Sequence, residues 1–166
     1  MEYCLSSFQN IPEEVYNWVK NPTKSLILYG ESGTGKTELA KALMSNMNLN
    51  YLFVRDLNGL KSLDNEYHKG IIFDDLDTKD ISREQMIHLI DRENPSDIRV
   101  LYGIVVITKE VIKIFTTNDL NSLLYFRDKS LTRRTKTVEI KNCLYPDSST
   151  TSSLDDNTSS LDDNDS

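Results

Sequence analysis

The amino-acid sequence predicts an α/β fold, a parallel sheet flanked by helices, with an inserted β-hairpin and a disordered acidic tail. Three observations carry this. The runs Leu26-Ile27-Leu28-Tyr29, Tyr51-Leu52-Phe53-Val54 and Gly70-Ile71-Ile72-Phe73 are continuous rather than alternating, as in strands covered on both faces. Stretches with helical spacing separate them, the βαβ pattern of a doubly wound sheet. At 166 residues the chain holds one core of three layers at most.

Each element follows in order. Asn10 is placed to cap a short helix, "IPEEVYNWVK", with Pro12 in its first turn and acids near its positive end. Residues 1–20 therefore form a short N-terminal helical segment, and residues 21–145 the main domain. "KSLILY" is a buried strand ended by Gly30. Over residues 37–47, Leu39, Leu43 and Met47 recur at helical spacing. "YLFV" and "GIIF" are two further strands. Ser82-Arg83-Glu84-Gln85 has the pattern of a capping box ahead of Met86, Leu89 and Ile90. "IRVLYGIVVI" reads as two strands folded about Tyr102-Gly103, "VIKIFTT" as another strand, and "VEI" near residue 140 as one more. From Pro146 the composition turns to Ser, Thr, Asp and Asn, with the repeat "SSLDDNTSSLDDN". Such a segment cannot bury enough apolar surface to offset the entropy of ordering, so residues 146–166 are expected to be disordered.

Net charge is −7, which at first argues against a nucleic-acid partner. Six of the acids lie in the tail, however, and residues 1–145 come within one charge of neutral. Positive charge also gathers between Arg127 and Lys141, with six basic residues against two acidic ones. Cys4 and Cys143 are the only cysteines and form no metal or redox motif, which points to a reducing compartment. The N-terminus lacks a signal-peptide pattern, and no apolar run reaches the roughly 18 residues of a bilayer span. A soluble, intracellular protein with no membrane partner is expected.

The stretch "GESGTGKTEL", residues 30–39, carries the chemistry. Gly30-x-x-x-x-Gly35-Lys36-Thr37 is a complete P-loop, between a strand and a helix as the motif requires. Its residues Gly30, Glu31, Ser32, Gly33, Thr34, Gly35, Lys36 and Thr37 are expected to wrap the phosphates of ATP. Glycines let successive backbone N–H groups turn inward as an anion nest, and the helix N-terminus adds its positive end. Lys36 is expected to reach the β/γ phosphates, and Thr37 to offer its hydroxyl to Mg²⁺. "GIIFDDLD" then supplies Asp74 and Asp75 directly after a strand. A hard cation prefers oxygen ligands, so Asp74 is the expected metal acid. Asp75 is placed to orient or deprotonate an attacking water. Asn118, at the end of "IKIFTTND", would hold that water and sense the γ-phosphate.

The P-loop, "IIFDD", a hairpin with Tyr-Gly, "IFTTN" and "SLTRR" together resemble superfamily 3 helicases. The closest likeness is the helicase half of replication initiator (Rep) proteins of small circular single-stranded DNA viruses and related plasmids. It covers roughly residues 20–142, with five blocks in order. The resemblance implies a P-loop NTPase fold of AAA+-like kind and a ring that hydrolyses ATP to move on single-stranded DNA or RNA. It assigns Walker A to the P-loop residues, Walker B to Asp74 and Asp75, and the sensor to Asn118. It also implies an arginine finger at Arg133 or Arg134 that completes a neighbouring subunit's site. Residues 98–109 match the hairpin that grips nucleic acid, with Arg99, Tyr102 and Lys109 as contacts. Leu101 stands where relatives carry a positive charge. No nicking-nuclease domain is expected, because residues 1–25 cannot supply one and His68 and His88 are isolated. Two other readings stay open: a helicase-loader ATPase, and a non-enzymatic Rep fragment that binds nucleotide and joins longer Rep rings.

Overall fold

In chain order the strands are β1 (Ser25–Tyr29), β2 (Tyr51–Val54), β3 (Gly70–Asp74), β4 (Ser96–Val100), β5 (Gly103–Ile107), β6 (Ile112–Thr117) and β7 (Thr135–Glu139). The structure, a computed structural model, describes residues 4–123 and 128–145, so the expected tail at 146–166 lies outside the described residues. Five strands pair in parallel in the order β2-β3-β6-β1-β7, while β4 and β5 pair with each other as an antiparallel hairpin. Parallel pairing puts the carboxyl ends of β1, β3 and β6 along one edge, where α/β sheets bind ligands.

Side chains alternate between two cores, as the period of two in a strand requires. On one face Leu26, Leu28, Ile72, Ile114 and Val138 pack under α1 (Glu13–Lys20) and α2 (Lys36–Asn46). On the other, Ile27, Ile71, Phe73 and Phe115 pack against α3 (Arg83–Ile90) and the inner side of the hairpin, Ile98 and Ile107. The rings of Phe73 and Phe115 stack at 4.5 Å and 12°, an aromatic pair worth about 1 kcal/mol beyond its burial. Two short helices follow β6, α4 (Leu120–Leu123) and α5 (Lys129–Thr132). Asp128 caps α5 by accepting from the Ser130 N–H and is paired with Arg83, which ties α5 to α3.

The local signals held in part. Ser82 caps α3 as expected, its hydroxyl accepting from the Gln85 N–H at 3.1 Å. The second arm of the box is not made, since the Gln85 amide donates to the Arg99 carbonyl instead. Asn10 is not the cap of α1. Pro12 holds that position, and Asn10 turns the chain at φ 64 while its amide donates to the Cys143 carbonyl at 3.0 Å. A tertiary partner outbids the local one. The hairpin register, Val100↔Gly103, makes Leu101 and Tyr102 the two loop residues, one position earlier than expected. Tyr102 itself adopts the left-handed conformation, φ 64. The hairpin is held by amides outside it: Asn58 accepts from the Leu101 N–H at 2.8 Å, and Asn65 donates to the Val106 carbonyl at 2.8 Å.

Candidate functional site

Between β1 and α2 the P-loop turns through three left-handed glycines, Gly30 (φ 149), Gly33 (φ 82) and Gly35 (φ 99). One of them sits where no side chain fits, and another is tightly flanked. A Cβ on Gly30 would meet the Ile140 carbonyl oxygen at 2.4 Å, and one on Gly35 would press on Leu144 and Tyr145. Gly33 opens onto free space, and Glu31, Ser32 and Gly33 are exposed. The loop is thus backed by protein and open toward solvent, as a cradle for a polyanion requires. Lys36 is buried and its Nζ donates to the carbonyls of Gly30 at 2.9 Å and Glu31 at 2.6 Å. Burial pushes its ammonium below the usual lysine value, while the charges of Asp75 and Asp74 pull it back up. Thr34 lies alongside, its hydroxyl donating to the Glu31 carbonyl.

At the ends of β3 and β6 the acids meet this loop. The Asp74 Oδ1 accepts from the hydroxyls of Thr37 at 2.5 Å and Thr116 at 2.8 Å. That puts the two expected metal ligands, Thr37 and Asp74, in direct contact. Both are oxygen donors, which fits Mg²⁺ chemistry. Among the described residues no cluster of three or more His, Cys, Asp or Glu groups stands ready to hold a metal. Mg²⁺ is commonly held by one or two protein oxygens together with phosphate oxygens, and Thr37 and Asp74 supply two such donors. Asp75 is exposed and left-handed at φ 50, its N–H donating to the Thr116 carbonyl at 2.9 Å. A non-glycine residue in this sparsely populated conformation is a feature that clusters at functional sites.

Gly33, Gly35, Lys36, Thr37, Asp74, Asp75 and Asn118 line one cleft of about 210 Å³, with Tyr145 as a further wall. After β7 the chain returns across the loop. The Leu144 N–H donates to the Thr34 carbonyl at 2.8 Å, and the Tyr145 hydroxyl bonds the Glu38 carboxylate at 2.6 Å. The fold thus gathers the P-loop, both acids and Asn118. A larger hollow, about 280 Å³, lies at the opposite edge of the sheet, lined by residues that include Lys24, Asp91, Arg92, Arg133 and Arg134. Phosphate-binding groups converge in the smaller cleft, and chemistry rather than size decides which is the nucleotide site.

Arg133 and Arg134 are not brought to that cleft. They directly precede β7, which starts level with the start of β1, so the length of a five-residue strand, about 16 Å, separates them from the P-loop. Arg134 is engaged, donating to the Ser130 carbonyl at 2.7 Å, whereas Arg133 is exposed. On the hairpin, Arg99 is exposed and Tyr102 is 94% exposed at the tip. Lys109 is exposed two residues beyond the far end of β5 and does not join them. In its place Lys61 lies over the Tyr102 ring, 5.7 Å from its centroid. Sequence reading missed Thr116, Tyr145, Lys61 and Arg55, which lies 3.5 Å from Asp74. A hydroxyl or a cation flanking an apolar run was the one available signal for Thr116 and Arg55.

The profile of the ATPase family associated with various cellular activities (AAA) matches residues 26–140. Among solved structures, that of the RuvB P216G mutant from Thermotoga maritima matches with a TM-score of 0.58 at 14% identity. The match covers 86% of this chain and 49% of that one, so the chain spans about half the length of that protein. At such identity the likeness is one of fold. No curated protein matches the chain in sequence.

Proposed function

The chain belongs to the AAA family of ATPases, and from that premise we propose that it hydrolyses ATP as the helicase domain of a Rep-like replication protein of superfamily 3 type. As a ring it would move on single-stranded DNA or RNA. One observation carries this reading: the site splits between two edges of the sheet. Lys36, Thr37, Asp74, Asp75 and Asn118 share the cleft at one edge. Arg133 stands exposed at the other, about a strand's length away and out of reach of its own chain's cleft, which supports a role toward a neighbouring copy.

In this reading the P-loop backbone and Lys36 hold the β/γ phosphates. Lys36 exchanges its bonds to the Gly30 and Glu31 carbonyls for phosphate oxygens. Thr37 and Asp74 would hold Mg²⁺, which when bound would supply neutralisation of charge on the phosphates. Asp75 accepts the proton of the attacking water, and Asn118 orients that water. Arg133 is the better finger, since Arg134 is tied to α5. A trans guanidinium stabilises charge developing on the γ-phosphate and can be worth about 10³–10⁵ in rate. Arg99 and Tyr102, with Lys61 beside the ring, present a cation and an exposed aromatic face to a strand threaded past the hairpin tip.

The test is ATP turnover with and without single-stranded DNA and RNA, beside the mass in solution. An oligomer stimulated by nucleic acid is expected. Turnover without nucleic-acid response would favour a loader-type ATPase, and nucleotide binding without turnover would reduce the chain to a non-enzymatic ring component.

A further inference from the structure

Arg55 follows β2, the edge strand beside β3. Its side chain is 74% exposed, yet its Nε lies 3.5 Å from the Asp74 Oδ2. The guanidinium is steadied by Phe53, two residues earlier, at 5.5 Å from the ring centroid. Asp74 is a buried carboxylate, and burying a charge requires partners. Its two oxygens divide them cleanly: Oδ1 takes the hydroxyls of Thr37 and Thr116, and Oδ2 takes Arg55. The chain therefore supplies its own cation to the acid that a divalent metal would need.

We propose that Arg55 is the resident counter-ion of Asp74, holding that carboxylate in the nucleotide-free protein and yielding its place when Mg²⁺ arrives with nucleotide. This rests on the reading of Asp74 as the metal acid of an ATP site. The contact has the features of an exchangeable one. Its nearest approach is a long 3.5 Å through Nε, and the arginine side chain is largely exposed. Lys41 also stands by the Phe53 ring, 4.7 Å from its centroid, so Arg55 shares that aromatic partner with a second cation. A guanidinium and a divalent ion so close to one carboxylate repel each other, and the more weakly held one leaves. The consequence is a threshold on metal loading that ionic strength lowers, because an exposed pair is screened by salt while a coordinated ion is held by contact.

The test is Mn²⁺ binding to the full chain with ADP kept below the protein concentration, read from the electron paramagnetic resonance of free Mn²⁺. Arg55→Ala should bind Mn²⁺ more tightly than the wild type by about fivefold, the scale of one exposed ion pair. Arg55→Lys should stay near the wild type, and the gap should close as salt is raised. In the wild type the Arg55 Nε–H resonance should move to the position of a free guanidinium on adding Mg²⁺ and ADP. Equal or weaker Mn²⁺ binding by Arg55→Ala would overturn the proposal, as would an Arg55 resonance unmoved by the metal. Asp74→Asn separates the two levels of the account. If it leaves Mn²⁺ binding intact, the metal role of Asp74 fails and the counter-ion role falls with it. If it abolishes Mn²⁺ binding while Arg55→Ala changes nothing, the ATP site stands and only the role of Arg55 is refuted.

Discussion

Lys113→Met should stabilise the protein, by an amount that depends on pH. Lys113 lies in β6 with 1% of its surface exposed, its Nζ donating to the Asp91 carbonyl at 2.8 Å. Burial pushes the ammonium down to about 7 from 10.5, with Asp91 opposing and Arg92 adding to the fall. The Asp91 carboxylate would itself be raised by burial. Hydrogen bonds from Asn94 and the Glu93 N–H, with Arg134 and Lys113 nearby, outweigh that and hold it below the usual range. Once unfolded, Lys113 regains its ordinary value, so between about pH 7 and 10.5 the unfolded chain holds more protons than the folded one. Stability therefore rises with pH across that window; the full cost of burying the amine is present below it and gone above it. At about 1.4 kcal/mol per pH unit the cost is about 5 kcal/mol at pH 6 and about 2 at pH 9. Methionine removes that cost but leaves the Asp91 carbonyl without its donor, a loss of about 1 kcal/mol. The variant should gain about 4 kcal/mol at pH 6 and about 1 at pH 9. Urea unfolding followed by the fluorescence of Trp18, buried in the fold, measures both. Equal gains at the two pH values, or a loss at pH 6, would refute the reasoning and mean that Lys113 stays charged beside Asp91.

Three further outcomes are expected at the P-loop cleft. Lys36→Ala should abolish tight ATP binding with the fold intact, as read by fluorescent-nucleotide titration beside circular dichroism; undiminished hydrolysis would contradict it. Asp75→Asn should keep nucleotide binding while turnover falls by about 10²-fold or more. Loss of binding there, with Asp74→Asn mild, would exchange the two acids. Gly30→Ala must place a Cβ 2.4 Å from the Ile140 carbonyl oxygen at a left-handed φ, and should destabilise the fold by about 1–3 kcal/mol in a thermal melt.

The strands and the P-loop were legible because their signals are local: continuous apolar runs, a glycine spacing, a lysine and a threonine opening a helix. Strand order was not, since nothing in "GIIF" or "IKIF" says that β6 inserts between β3 and β1. Lys113 stands within an apolar run and would face solvent on a one-sided sheet; only coverage of both faces buries it. Asn10 has every mark of a cap, but its partner is a carbonyl 133 residues away. Arg55 reaches Asp74, and Tyr145 the cleft, for the same kind of reason. One comes from the neighbouring strand and the other from the chain's return after β7, distances that exist only once the sheet is assembled. The hairpin was legible as a pair of β-rich runs, but its loop fell one residue early because Tyr102 rather than Gly103 takes the left-handed turn.

The central claim is that a neighbour completes each ATP site, and subunit mixing tests it most directly. Asp75→Asn and Arg133→Ala chains, each nearly inactive alone, are combined and their turnover measured over a range of protein concentrations. The account predicts that the mixture exceeds either variant, since some interfaces pair an intact Asp75 with an intact Arg133, and that wild-type turnover per chain rises with concentration. A wild type that stays monomeric with constant turnover per chain, and a mixture no better than the average of its parts, would contradict it.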